Sequence, residues 1–415
     1  MIATAVAALT AACAAAPSSP VELHARAEAP SRPAVDVRLL LQPEHQRDQD
    51  RYLRAAVATL TTCGEWLGAF PGGSLTLVDP PWRPLPAQPD GALLMDRVPW
   101  WATPTSMMPE LAVARAISRR FWNGRIDTTA LPTWFVDGLV EYLARRAVVP
   151  LFAADNPGPG YAFLAPRYFD GFVPRFLRIR LLPEFDGPPA SAYRAAPGVA
   201  VSHRPSSSAD AQRLAGKALL ILGTLEQWVG RPVFDQIIAE FAAGAAMQPT
   251  LADFARVAAD ISGQDLSWLF DEAFGSSRVF DYGVGLVTSE PEGDGTFTTV
   301  VVARRFGEAR FTGATAAPLG PFESGRGINL RVTFEDGRQR TDTWDGRERE
   351  KTFRYRSPAR ALSAAVDPDR ILLLDVHQTN NGRSVTPLAG TAASRWALLW
   401  MAWLEHALLT YSALV

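Results

Sequence analysis

Near residue 280 the spacing of apolar residues changes from a helical period of about 3.6 to a period of about 2, and few folds accommodate such a switch. Before it, residues 211–229, 231–244, 250–261 and 265–274 each repeat apolar side chains at helical spacing, with Gly230, Gly263 and Gly275 between them. Such a run predicts antiparallel helices, a helical subdomain over residues 211–275. After it, residues 297–302, 329–334, 340–344, 353–356 and 371–376 alternate or run β-prone, and Glu335-Asp-Gly337 and Asp345-Gly346 supply turn chemistry. The pattern predicts a small β-sandwich over residues 281–390.

The preceding half mixes the two periods. Residues 48–61 read as a helix with Asp48 and Asp50 at its start, where the helix dipole favours acid. Ser74–Val78 reads as a strand closed by Asp79-Pro-Pro, and residues 109–122 and 134–147 read as two further helices. Residues 149–209 are rich in Pro, Gly and Arg and are expected to be irregular. The expected fold class is α+β.

Both ends are apolar. The first sixteen residues are small and apolar and precede Pro17-Ser-Ser-Pro, so residues 1–20 are expected to be a signal or lipoprotein segment, although no Lys or Arg stands ahead of the run. The expected location is the bacterial cell envelope, periplasmic or extracellular. Residues 391–415 read as a helix with Trp396, Trp400 and Trp403 on one face, docked on the sandwich or lying on a membrane surface. Arg395, Glu405 and His406 interrupt it and weigh against a membrane span.

Charge and cysteine content remove whole classes of function. With 41 Lys+Arg against 43 Asp+Glu and no basic run, the chain lacks the footprint of a nucleic-acid binder. Cys13 and Cys63 match no zinc ribbon or redox pair. The histidines, His24, His45, His203, His377 and His406, are isolated in sequence and are expected to be surface or capping residues. Ser202-His203 and Ser206–208 provide no nucleophile elbow, and Gly283-Val-Gly285 lacks the strand-turn-helix unit of a dinucleotide loop.

One stretch points to a chemistry. Pro109-Glu-Leu-Ala-Val-Ala-Arg-Ala-Ile-Ser-Arg-Arg-Phe-Trp-Asn-Gly124, followed by Trp134-Phe-Val-Asp-Gly-Leu-Val-Glu-Tyr142, resembles the membrane alanyl aminopeptidase family of gluzincin zinc metallopeptidases. Ser262-Gly-Gln-Asp-Leu-Ser-Trp-Leu-Phe270, Phe280-Asp-Tyr-Gly-Val284, Asp367-Pro-Asp-Arg370 and Asn380-Asn381 are similar to later segments of bacterial members. The resemblance runs from about residue 38 onward and implies a thermolysin-like domain over residues 36–280, including the helical subdomain, ahead of the sandwich.

It also implies a zinc site, and here the sequence departs from the family. Zinc held by H-E-x-x-H needs two His one helical turn apart and a Glu base between them. Those positions hold Arg115, Ala116 and Arg119, the third-ligand position holds Asp137 with the spacing one residue shorter, and Leu214 stands where the family carries a transition-state tyrosine. The substrate-amine loop falls near Asp90-Gly-Ala-Leu-Leu-Met95, which has no Glu. Arg has no lone pair for a metal, so no catalytic residue, no metal ligand and no cofactor are expected.

In place of the ion, a guanidinium of Arg115 or Arg119 is expected to pair with Asp137 or Glu141; the other reading leaves both Arg solvated at a cleft surface. These four residues are the binding-cleft candidates. The expected function is a catalytically inactive homologue that binds a peptide or protein, or scaffolds, through a cleft whose Arg pair favours an acidic group. The alternatives are an active zinc aminopeptidase with rearranged ligands, and a purely structural partner subunit that docks through its C-terminal helix.

Overall fold

The computed structural model describes residues 20–29, 32–81, 91–98, 107–155, 184–198, 205–244, 248–313 and 327–387, together with Gly390, Ala393, Ala397 and Trp400. The expected leader, most of the Trp-rich C-terminal helix, His203 and His406 lie outside these residues. The chain divides into two compact units, Met1–Arg125 with Leu143–Asn156, and Ile126–Tyr142 with Pro157–Val415.

The first unit is built on a sheet of order β1-β2-β3-β4. Strands β1 (Val21–Ala29) and β2 (Arg32–Leu41) form an antiparallel hairpin, and β3 (Ser74–Val78) and β4 (Leu93–Leu94) add in parallel. Val35, Val37, Leu39 and Leu41 alternate into the core, each worth about 1.5–3 kcal/mol on full burial. On the opposite face Arg38 pairs with Glu22 at 2.7 Å and Arg26 with Asp36 at 3.1 Å.

A parallel pair needs a crossover, and helix α1 (Gln49–Leu67) supplies it between β2 and β3. Its Tyr52, Ala55, Leu60, Cys63 and Leu67 face inward, and α2 (Met108–Arg125) packs along it with Ala114, Ile117 and Phe121 buried. Residues 143–155 of α3 (Thr133–Asp155) complete the unit, where the Arg146 guanidinium lies 4.3 Å above the Trp66 ring.

In the second unit, residues 133–142 of α3 join α4 (Pro188–Ala195), α5 (Ser208–Val229), α6 (Arg231–Ala243), α7 (Leu251–Ser262) and α8 (Ser267–Ala273). Helix α5 is the central element, buried from Leu214 through Leu225 on most of its circumference. It begins at Ser207, whose hydroxyl accepts from Asp210 N at 3.1 Å, and α7 opens with a capping box of Thr250 and Asp253 and ends at left-handed Gly263. Gly216 lets α4 touch α5, since a Cβ there would stand 2.0 Å from Pro189 O.

Two antiparallel sheets follow: β5 (Tyr282–Pro291), β6 (Phe297–Arg305) and β9 (Glu350–Ser357) in one, and β11 (Gly382–Ser384), β10 (Ala361–Val366), β7 (Ile328–Phe334) and β8 (Gln339–Trp344) in the other. Strand β10 lies against β5, where Ala361 N donates to Ser289 Oγ at 3.0 Å. The whole is a mixed α and β structure consistent with the expected α+β class.

Two local expectations need correction. The span 149–209 is not uniformly irregular, because α3 continues through Pro150 to Asp155 and Gly187-Pro-Pro opens α4. Proline near a helix start loses no intrahelical bond, so a Pro pair there begins a helix rather than breaking one. Residues 371–376 are no strand: Asp367 and Arg370 take left-handed backbones, and the amides of Ile371, Leu372 and Leu373 bond to side chains of Asp367 and Thr224 instead of a neighbouring strand. The hairpin of β1 and β2 was not anticipated at all.

Among the described residues, no helix is long and apolar enough to cross a membrane.

Candidate functional site

Helix α2 carries the positions where the family resemblance places its catalytic motif. Pro109 opens it, and Glu110 in its first turn takes both arms of Arg51, at 2.7 and 2.8 Å. That bidentate pair fixes α2 to α1. Ala114, Ile117 and Ser118 turn into the core, which leaves Arg115, half-buried, and Arg119, exposed, one turn apart on the other side. Arg115 Nη1 pairs with Asp96 Oδ2 at 3.0 Å, just beyond β4. Ala116 lies between them without a functional group.

A zinc ion needs lone pairs, and this face of α2 has none to offer, so these residues do not fit the metal that the resemblance implies. Among the described residues, no group of three or more His, Cys, Asp or Glu could hold a metal ion.

The remaining candidates belong to the second unit. Asp137, half-buried, and Glu141, buried, share one face of α3 at helical spacing. Helix α5 carries Leu214, fully buried, a position whose side chain has no hydroxyl to stabilise a transition state. Close by, Tyr142 donates to Glu226 Oε2 at 3.0 Å, and Arg231 Nε donates to Glu226 Oε1 at 3.1 Å.

The ionisable groups with displaced proton affinity sit elsewhere, and the sequence alone did not mark them. In the first unit His45 is 3% exposed, contrary to its expected surface role, and its Nδ1 lies 2.7 Å from Asp79 Oδ2. Burial opposes charge on His45, yet the hydrogen bond and charge of Asp79 hold its proton affinity above the ordinary value. The Cys63 thiol, sealed and 3.7 Å from Ser118 Oγ, is pushed up to about 12 by burial, which makes it a poor nucleophile.

In the second unit burial lowers Lys217 on α5 to about 8, with its Nζ donating to Ser276 O at 3.0 Å. Asp186 accepts both arms of Arg370, at 2.6 and 3.0 Å, and Arg194 at 3.1 Å. His377 N donates to Asp375 Oδ1 at 3.0 Å and its ring Nδ1 lies 2.6 Å from Asp281 Oδ2, and burial first, with the Asp281 charge second, pushes Asp375 up to about 7. A histidine and an aspartate 34 residues apart in sequence, or aspartates nearly a hundred apart, leave no local signal; only the Asp79-Pro-Pro strand ending was visible in advance.

No protein-family model matches the sequence, and no curated protein matches it. Among solved structures, the chain is similar to aminopeptidase A of Legionella pneumophila in complex with aspartic acid, with a TM-score of 0.46 and 13% identity. The match covers 84% of this chain and 37% of that one, so the chain spans little more than a third of that protein's length.

Proposed function

We propose that this chain is a catalytically inactive relative of the zinc metalloaminopeptidases, acting in the bacterial envelope as a peptide-binding or scaffolding protein. The observation that carries the reading is the outer face of α2, where Arg115, Ala116 and Arg119 stand at the positions that the resemblance gives to H-E-x-x-H. Neither a metal ligand nor a base can be made from them. In this reading residues 36–280 correspond to the thermolysin-like domain and residues 281–390 to the β-sandwich. In this reading the pair Arg115 and Arg119 favours an acidic side chain or a C-terminal carboxylate on the ligand.

Zinc analysis of the purified, untagged protein, with no metal added after expression, tests the reading. Less than about a tenth of an equivalent is expected, together with no cleavage of alanyl or aspartyl aminopeptidase substrates. Close to one equivalent of zinc, or turnover abolished by a chelator, would sink it, because stoichiometric zinc needs three or four donors from residues other than these.

A further inference from the structure

At the end of β3 the first unit seals an acid and a base together. Asp79 is 1% exposed, and His45, in the short helical turn Pro43–Asp48 ahead of α1, is 3% exposed. The His45 Nδ1 lies 2.7 Å from Asp79 Oδ2, which also accepts the backbone N–H of Gln42 at 3.0 Å. Gln42 returns the bond, its Nε2 donating to Asp79 O at 2.9 Å, and Asp79 N donates to Leu40 O at 2.9 Å. The ends of β2 and β3 and the turn that leads into α1 thus meet on one carboxylate. An ionised carboxylate in a dry place needs a counter-charge, and the His45 ring is the basic group that touches it.

The groups around the pair add acceptors. On the same turn, Glu44 and Asp48 act on His45 through their charge. From α1 the Tyr52 ring stacks on the His45 ring, with centroids 6.1 Å apart and planes 28° apart. Arg51 pairs with Glu110 of α2 at 2.7 Å and with Asp48 Oδ1 at 3.5 Å. Asp48 Oδ2 and Asp79 Oδ1 are buried acceptors without a hydrogen-bond partner, and His45 Nε2 and the Tyr52 hydroxyl are buried without one as well. A neutral His45 ring with its proton on Nδ1 would add one more lone pair to this set. The doubly protonated ring adds a donor instead and balances the charge of Asp79.

We infer that His45 is a buried imidazolium held by Asp79, and that its proton locks the Pro43–Asp48 turn and the start of α1 onto the end of β3, so that loss of the proton leaves the Asp79 charge unbalanced and loosens this junction. The balance of influences agrees with the geometry. Burial, the largest of them, works against the proton, yet the hydrogen bond and charge of Asp79, with Glu44 and Asp48 behind them, hold the affinity of His45 above its ordinary 6.5. The Tyr52 hydroxyl is pushed far up by burial and by the charges of Asp79 and Asp48, so it stays neutral and leaves the ion pair to His45.

The sign follows from linkage. A base that binds its proton more tightly when folded stabilises the folded chain fully below its unfolded value of 6.5 and loses that contribution as the pH rises through the folded value. Asp375 and Lys217 also titrate with folding, so the quantity to read is the difference between the wild type and a variant in which position 45 carries no titrating group.

The test is 15N NMR of the histidine rings of the full chain between about pH 5 and about pH 9, with His45 assigned through its contact with the Tyr52 ring, a readout that needs no variant. Both nitrogens of His45 are expected to carry protons at about pH 6.5, where half of an ordinary histidine has lost one, and to lose one only at higher pH. In Asp79→Asn, where desolvation is left to act, the ring is expected to be neutral at that pH. Thermal unfolding adds a second readout: from about pH 6 to about pH 8 the wild-type melting temperature is expected to fall by a few degrees relative to that of His45→Gln. A wild-type His45 ring that is already neutral at about pH 6 would overturn the lock, as would a ring that titrates alike in the wild type and Asp79→Asn, or melting profiles of the wild type and His45→Gln that run parallel.

Discussion

Helix α2 and the loop before β11 each bring two like charges together, and water separates their fates. On α2, Arg115 and Arg119 sit one turn apart, one half-buried against Asp96 and the other exposed. Solvent screens their repulsion to a few tenths of a kcal/mol. Asp375 is 1% exposed, and burial first, with the Asp281 charge second, pushes it up to about 7. Residue type alone therefore says little about what a charge does; strongly perturbed groups, Cys63 in the first unit and Lys217 and Asp375 in the second, lie where no motif announces them.

The contrast is broken most directly at Asp186. It accepts both arms of Arg370 and one of Arg194 in a largely buried setting, so Asp186→Ala leaves two guanidinium groups without this carboxylate. The expected loss is about 3–5 kcal/mol in urea unfolding, since removing one partner of a buried pair leaves the other's desolvation uncompensated. A loss below about 1 kcal/mol would mean that charges here are as well hydrated as those on α2.

A buried charge without a carboxylate partner gives the next largest effect, with the opposite sign. Lys217 donates to Ser276 O, and burial brings it from an ordinary 10.5 to about 8. Lys217→Met keeps the chain length and removes the charge, so a gain of about 1–3 kcal/mol is expected at neutral pH. Between about pH 8 and 10.5 the unfolded wild type binds more protons than the folded one, so wild-type stability rises with pH and the advantage of the variant shrinks. Stability curves at about pH 7 and about pH 10 check this; a variant weaker than wild type by more than about 1 kcal/mol at pH 7 would show that the bond to Ser276 outweighs desolvation.

How much of this was readable beforehand depends on how local the causes are. The helices of the second unit were legible because Gly230, Gly263 and the Thr250–Asp253 cap act within a few residues, and the hairpin of β7 and β8 because Asp336-Gly337 specifies its turn. Strand β1 was missed because its small and charged residues, His24 to Ala29, extend only by pairing with β2, although Val35, Val37, Leu39 and Leu41 alternate plainly enough. Residues 371–376 look like a strand by composition and are a buried loop, since Asp367 and Thr224 satisfy amides that a sheet would otherwise claim. Of the site candidates, Arg115, Ala116, Arg119, Asp137 and Leu214 were named through the family resemblance, and Glu141 through its helical spacing from Asp137. His45 with Asp79, and Asp281 with Asp375, were not, because their meaning arises only when the chain brings distant residues into one dry place.

The smallest expected effect sharpens the comparison from its exposed side. The Arg115 side chain is 28% exposed and that of Asp96 58%, a setting in which Coulomb attraction is nearly offset by hydration and by the entropy of holding two long side chains. A double-mutant cycle of Arg115→Ala and Asp96→Ala isolates this pair from the other contacts Arg115 makes. Its coupling is expected to be about 0.2–1 kcal/mol and to fall further when the salt is raised to about 1 M, where the screening length is about 3 Å. A coupling above about 2 kcal/mol that ignores salt would place Arg115 in a dry environment like that of Asp375. The outer face of α2 would then be a sealed, preorganised charge site, and the claim that water alone distinguishes the two pairs would fail.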